Sequence, residues 1–164
     1  MKVNSDFRDL LLELNEVEAQ YMVIGGYAVG FYAEPRFTKD LDIWFSADAD
    51  NPERVHAALG HFGAPLSDLT VDDLATDGLV FQLGVPPNRI DVINQISGGI
   101  DFQTAWLDRI VADFGGVSVN LIGIDALILN KKAAARPQDL RDVRTLERVR
   151  KKHAGTTAPV DGSP

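Results

Sequence analysis

The 164-residue chain contains no cysteine. Disulfides and thiolate metal sites are therefore excluded, and a reducing cytoplasm is the expected location. Histidine is scarce as well. His56, His61 and His153 are the whole supply, and their spacing fits no metal-ligand pattern. No apolar run approaches the roughly 20 residues that a membrane helix needs. The N-terminal stretch MKVNSDFRDLLLELNEVE has acids among its leucines, so it reads as a helix and not as a signal peptide. Neither a P-loop nor a G-x-S-x-G motif is present, so two common routes to phosphate binding and acyl transfer are missing.

What is present is a lopsided charge. The net charge is −8. Residues 1–130 carry 7 basic and 20 acidic side chains, whereas residues 131–153 carry 9 basic and 3 acidic. The acidic bulk argues against general nucleic-acid coating. The basic segment is either a solvated helix face or a local site for an anionic partner, such as a phosphate chain or an RNA backbone. Length and an apolar fraction of 45% fit one domain, expected over residues 1–153, with a loose tail over 154–164. No internal repeat is visible.

Apolar spacing predicts an amphipathic helix over 5–19, from Phe7, Leu10, Leu11, Leu14 and Val17. YMVI (21–24) reads as a short buried strand, and GYAVGFYA (26–33) as a buried helix starting at the glycines. DLDIWF (40–45) alternates, with the aspartates on one face and Leu41, Ile43 and Phe45 on the other. A helix over 52–62 follows, with Pro52 in its first turn. Two strands then flank Pro86-Pro87, and a hairpin turns at Gly115-Gly116. From Asp125 the chain reads as two helices, broken near Arg136-Pro137.

The chemistry is concentrated in YMVIGGYAVGFYAEPRFTKDLDIWF, residues 21–45. Asp40 and Asp42, two apart on a strand, share a face. Two such carboxylates repel unless a cation lies between them, and hard divalent ions take oxygen ligands of this kind. Taken alone, the pair could equally be a solvent-facing strand edge. Gly25 and Gly26 stand at a strand-to-helix junction, where free N–H groups favour an anion; a plain tight turn is the alternative. Arg36 and Lys39 flank the aspartates, either to meet a triphosphate or to balance charge. Asp91 sits among Ile90, Val92 and Ile93. Either it joins the aspartates as a third acid, or it pairs with Arg89 or faces water. Together these parts suit phosphoryl transfer, in which metals clamp the attacking and leaving oxygens.

The stretch GGYAVGFYAEPRFTKDLDIWF resembles the signature of minimal nucleotidyltransferases of the DNA polymerase β superfamily. A second patch, DALILNKKAAARPQDLRDV, is similar to the C-terminal element of the bacterial branch related to abortive-infection and toxin–antitoxin nucleotidyltransferases. Lys131, Arg136, Asp139 and Asp142 fall on that pattern. Many relatives carry Gly-Ser where this chain has Gly25-Gly26.

The resemblance implies an α/β (α+β) fold, a mixed sheet with helices packed mainly on one side. It implies transfer of a nucleoside monophosphate from an NTP, with pyrophosphate released. Asp40, Asp42 and Asp91 would be catalytic and hold Mg²⁺ or Mn²⁺. Gly25, Gly26, Arg36, Lys39 and Lys131 would bind the nucleotide. The acceptor would be an RNA end, a protein hydroxyl or a small molecule, and a cognate toxin or antitoxin would be a natural partner. The competing reading is a non-catalytic binding module or antitoxin on the same fold. A D-x-D phosphatase or glycosyltransferase fits less well. In a haloacid-dehalogenase-type phosphatase the first Asp would end an apolar strand, whereas here the strand follows it.

Overall fold

A computed structural model describes residues 4–155. Six strands form one mixed sheet: β1 (Tyr21–Ile24), β2 (Asp40–Phe45), β3 (Val80–Leu83), β4 (Arg89–Ile93), β5 (Ile110–Phe114) and β6 (Val117–Leu121). Their order across the sheet is β3-β4-β2-β1-β6-β5. Seven helices lie among the described residues: α1 (Ser5–Glu16), α2 (Gly25–Tyr32), α3 (Asn51–Phe62), α4 (Val71–Ala75), α5 (Phe102–Leu107), α6 (Ile124–Ala134) and α7 (Pro137–Ala154). No helix among the described residues is long and apolar enough to cross a membrane.

The strands and most helices fall where apolar periodicity places them. α1 starts at Asn4, whose side chain accepts a hydrogen bond from the Asp6 N–H. It ends earlier than the leucine spacing implies, because Glu18 turns into the left-handed region at φ 54°. α4 and α5 are additions that the sequence pattern did not announce. Of the expected tail over 154–164, Ala154 belongs to α7, and residues 156–164 lie outside the described residues.

Register decides which side chains share a face. β1 pairs antiparallel with β2, setting Tyr21 opposite Phe45 and Val23 opposite Ile43. β2 pairs parallel with β4, setting Leu41 beside Ile90 and Ile43 beside Val92. These residues, all buried, make one continuous apolar face. α1 lies against it, through Phe7, Leu10, Leu11 and Leu14, and the Tyr21 hydroxyl donates to Asn15 Oδ1 at 2.8 Å. Each large side chain removed from water in this way contributes about 1.5–3 kcal/mol.

The opposite face carries Asp40, Asp42 and Asp91. At its far end Trp44 is buried rather than outward-facing and solvated, because Phe102 of α5 packs edge-on against it at 4.9 Å. That face is thus apolar at Trp44 and polar at the start of β2. The functional region begins where the apolar cover stops.

Candidate active site

The start of β2 and the middle of β4 bring three acids together by register alone. In the parallel pair, Asp40 lies beside Arg89 and Asp42 beside Asp91. A cavity of about 560 Å³ opens over them. Its lining includes Asp40, Asp42 and Asp91, the Gly25-Gly26 turn, Lys39 and Arg89. Asp40, Asp42 and Asp91 therefore meet on one face of the sheet.

The two glycines are demanded by neighbouring side chains. Gly25 has φ 67°, and a Cβ there would collide with the Asp42 carboxylate. A Cβ at Gly26 would come within 2.5 Å of Thr38 Cγ2. So Thr38 occupies the space that a serine at position 26 would need. No side chain caps the start of α2, which leaves its first N–H groups free for an anion at the cavity.

The electrostatics of the acid cluster are unbalanced. Burial, then the charges of Asp91 and Asp40, push the Asp42 carboxyl up to about 7, against smaller opposing effects of Lys131 and Arg89. Arg89 is the cation in contact with Asp40 and Asp91. Its Nη2 donates to Asp40 Oδ2 at 2.7 Å and to Asp91 Oδ2 at 3.3 Å. Its Nε stands 3.1 Å from Asp91 Oδ1 but is misaligned, so neither atom gains a hydrogen bond. Asp40 Oδ1 is likewise buried without a partner. The sequence left Asp91 with two alternatives, a third acid or a partner for Arg89, and the structure realises both at once. The signal was there, since Arg89 and Asp91 are two apart on one strand and must share a face.

With Arg89 between Asp40 and Asp91, no three acids among the described residues stand in an arrangement that holds a metal as it is. The donor set still fits a hard divalent ion. It is all carboxylate oxygen, two of its buried oxygens lack partners, and Asp42 is short of positive charge.

The expected nucleotide-binding cations divide. Lys39 is exposed at the cavity and forms no ion pair among the described residues. Arg36 Nη2 is held by Asp142 Oδ2 at 2.9 Å. Lys131 Nζ is buried between Asp139 Oδ1, at 3.0 Å, and Asp142 Oδ2, at 3.2 Å. Arg136 caps α7 through Asp139, with Nε to Oδ2 at 2.8 Å, while most of its side chain remains exposed at the cavity. Burial raises the Asp139 carboxyl, but hydrogen bonds from Arg136 and Lys131 outweigh it, and the net effect holds Asp139 below the usual carboxylate range. Sequence spacing placed Lys131, Arg136, Asp139 and Asp142 on one patch but did not show that Lys131 is taken up by both acids.

Among curated proteins, none matches this chain. Solved structures do. A lincomycin-bound lincosamide antibiotic adenylyltransferase, LnuA, superposes with a TM-score of 0.58 at 15% identity, over 91% of this chain and 99% of that one. The solution structure of the antibiotic-resistance factor ANT(2'')-Ia superposes with a TM-score of 0.57 at 13% identity, over 92% of this chain and 90% of that one. At such identities the likeness is one of fold. The sheet, the glycine turn and the acid-bearing strands agree with a match over residues 1–151 to a family described as nucleotidyltransferase of unknown function (DUF6036), and the chain belongs to that family.

Proposed function

We propose that this protein transfers a nucleoside monophosphate from an NTP to a hydroxyl-bearing acceptor, with release of pyrophosphate. The observation that carries this reading is the in-register placement of Asp42 beside Asp91, with Asp40 on the same face, under a cavity floored by an uncapped helix start.

The residues divide the work as follows. The free N–H groups at Gly25-Gly26 take phosphate oxygens, where the absence of Cβ atoms permits close approach. Lys39 and the exposed arm of Arg136 offer positive charge to the triphosphate chain. Arg36 and Lys131 act from behind: their ion pairs with Asp142 tie the loop before β2, and α6, to α7. Asp40, Asp42 and Asp91 would hold Mg²⁺ or Mn²⁺, which when bound supplies charge neutralisation and lowers the pKa of the acceptor hydroxyl. Asp91, on β4, would either hold a second metal or accept the proton of that hydroxyl.

The acceptor belongs to one of three classes: an RNA end, a protein hydroxyl or a small molecule. The cysteine-free composition supports a place in the cytoplasm, where NTPs are supplied, and a role in a toxin–antitoxin or defence system with a cognate partner rests on the resemblance of the 125–143 patch. The deciding experiment incubates the protein with each α-labelled NTP and Mg²⁺ or Mn²⁺, beside total RNA and cell extract. The expected result is label on one acceptor class, dependent on metal and lost in Asp42→Asn. No label from any NTP on any class would replace this reading with that of a non-catalytic module on the same fold.

A further inference from the structure

Arg89 is fixed in its place by the sheet itself. The parallel register puts its Cα beside that of Asp40, and the period of the strand puts it on the same face as Asp91, two residues on. Its guanidinium lies across the gap between the two carboxylates, 2.7 Å from Asp40 Oδ2 and 3.1 Å from Asp91 Oδ1. The side chains are mostly shielded from solvent: Arg89 is 30% exposed, Asp40 26% and Asp91 14%. Water screens such a trio only in part. Yet the pairing is incomplete. Arg89 Nε, Asp40 Oδ1 and Asp91 Oδ1 are all buried without a hydrogen-bond partner. An orphaned polar atom in a buried place costs stability, so the two unpaired carboxylate oxygens favour a further positive ligand. The acids are held together without being fully satisfied.

We propose that Arg89 is a resident counter-ion of the acid cluster, occupying the gap that a divalent metal must take, so that metal binding is an exchange in which the guanidinium is displaced. The inference rests on the reading of Asp40, Asp42 and Asp91 as metal ligands. Without metal, Arg89 limits the repulsion among three carboxylates and keeps β2 and β4 in register. On exchange, metal meets carboxylates that are already aligned, including the oxygens that Arg89 leaves unpaired. The displaced guanidinium remains in the cavity it lines, where an anionic phosphate chain can receive it. Metal alone is therefore held weakly, and metal and nucleotide favour each other's binding. In this role Arg89 is a positioning residue.

The test titrates Mn²⁺, without nucleotide, into the full-length metal-free protein by calorimetry, and repeats thermal melting at saturating Mn²⁺. Wild type is compared with Arg89→Gln and Arg89→Lys. Arg89→Gln is expected to bind Mn²⁺ roughly tenfold more tightly, the usual size of a coupling between competing sites. It should also melt lower without metal and gain more from metal than wild type does. Arg89→Lys should fall between the two, since an ammonium cannot span both carboxylates as a fork does. Unchanged or weaker Mn²⁺ affinity in Arg89→Gln overturns the inference, and the same outcome in Arg89→Lys does so if the Gln variant fails to fold. Equal affinity in all three proteins removes the role of Arg89 and leaves the metal ligands standing. No Mn²⁺ binding by any of them overturns both.

Discussion

Two carboxylate clusters lie within electrostatic reach of Lys131, and the protein treats them in opposite ways. On α7, Asp139 and Asp142 are almost fully buried, and three cations converge on them: Lys131, Arg36 and Arg136. On β2 and β4, Asp40, Asp42 and Asp91 are partly open to a cavity; Asp40 and Asp91 share one guanidinium, and Asp42 has no ion pair among the described residues. The first cluster is over-neutralised and its Asp139 stays ionised with ease. The second is under-neutralised, and Asp42 resists ionisation up to about 7. Two acids with three cations tie helices together, whereas three acids with one cation leave a demand for more positive charge. The contrast separates a fastening from a site better than any count of charged residues.

The largest expected effect breaks the second cluster. Asp42→Asn keeps shape and removes a charge. Nucleotide transfer should fall by about a thousandfold, the range seen when a group that stabilises charge in the transition state is lost. Far-ultraviolet circular dichroism should remain unchanged. Transfer within tenfold of wild type would remove Asp42 from the catalytic set.

Next comes the fastening. Lys131→Met leaves Asp139 and Asp142 buried with less compensation, which should cost about 3 kcal/mol in urea denaturation, as for other broken buried pairs. The same substitution at Lys39, exposed and unpaired among the described residues, should leave the denaturation midpoint unchanged. If the two variants lose equal stability, the distinction between the clusters fails.

A smaller effect concerns pH. Asp42 has a folded-state value of about 7 against an ordinary 3.8, so the folded state holds a proton that the unfolded chain releases. Its favourable contribution is complete below pH 3.8 and is lost as pH rises towards 7. Asp139, held below the usual range, acts with the opposite sign: its contribution is lost only as pH falls below ordinary carboxylate values. Metal-free protein should therefore lose about 1–2 kcal/mol between pH 4.5 and pH 7.5, the full shift being discounted for partial solvation. Asp42→Asn should flatten that slope. A slope that persists in the variant would assign it to other groups.

The smallest expected effect is at the rim. Lys39→Ala should raise the KM for NTP about fivefold and leave kcat nearly unchanged, since an exposed cation adds binding more than transition-state stabilisation. A fall in kcat with constant KM would place Lys39 at the reacting phosphate.

Much of this was legible in the sequence because it depends on short-range pattern. The strand periods of 21–24 and 40–45, the helices expected over 5–19 and 52–62 and found at Ser5–Glu16 and Asn51–Phe62, and the hairpin at Gly115-Gly116 follow from local spacing and turn residues. The Asp40–Asp42 pair was legible too, by strand parity, whereas the addition of Asp91 depends on β4 lying beside β2, which the sequence left open. What escaped depends on long-range pairing. α4 and α5 are too short to show a helical period, so the cover over Trp44 by Phe102 could not be foreseen. The pairing of Arg36 with Asp142 joins residues far apart in the chain, and nothing in local spacing reveals it. Lys131 was read as a cation for the nucleotide for the same reason, because a charge has no sequence signature of its partner.

The in-register parallel pairing of β2 with β4 has a consequence for how this chain tolerates insertions and deletions. Asp42 and Asp91 are neighbours only because both strands keep parity. Extra residues between Phe45 and Val80, outside α3 and α4, lengthen a connection and leave the pairing alone. One residue added or removed inside β4, between Arg89 and Asp91, would turn Asp91 into the apolar face and send a valine or isoleucine into the cavity. Length variation in this molecule is thus permitted by the loops and forbidden by two short segments, which together hold all three acids.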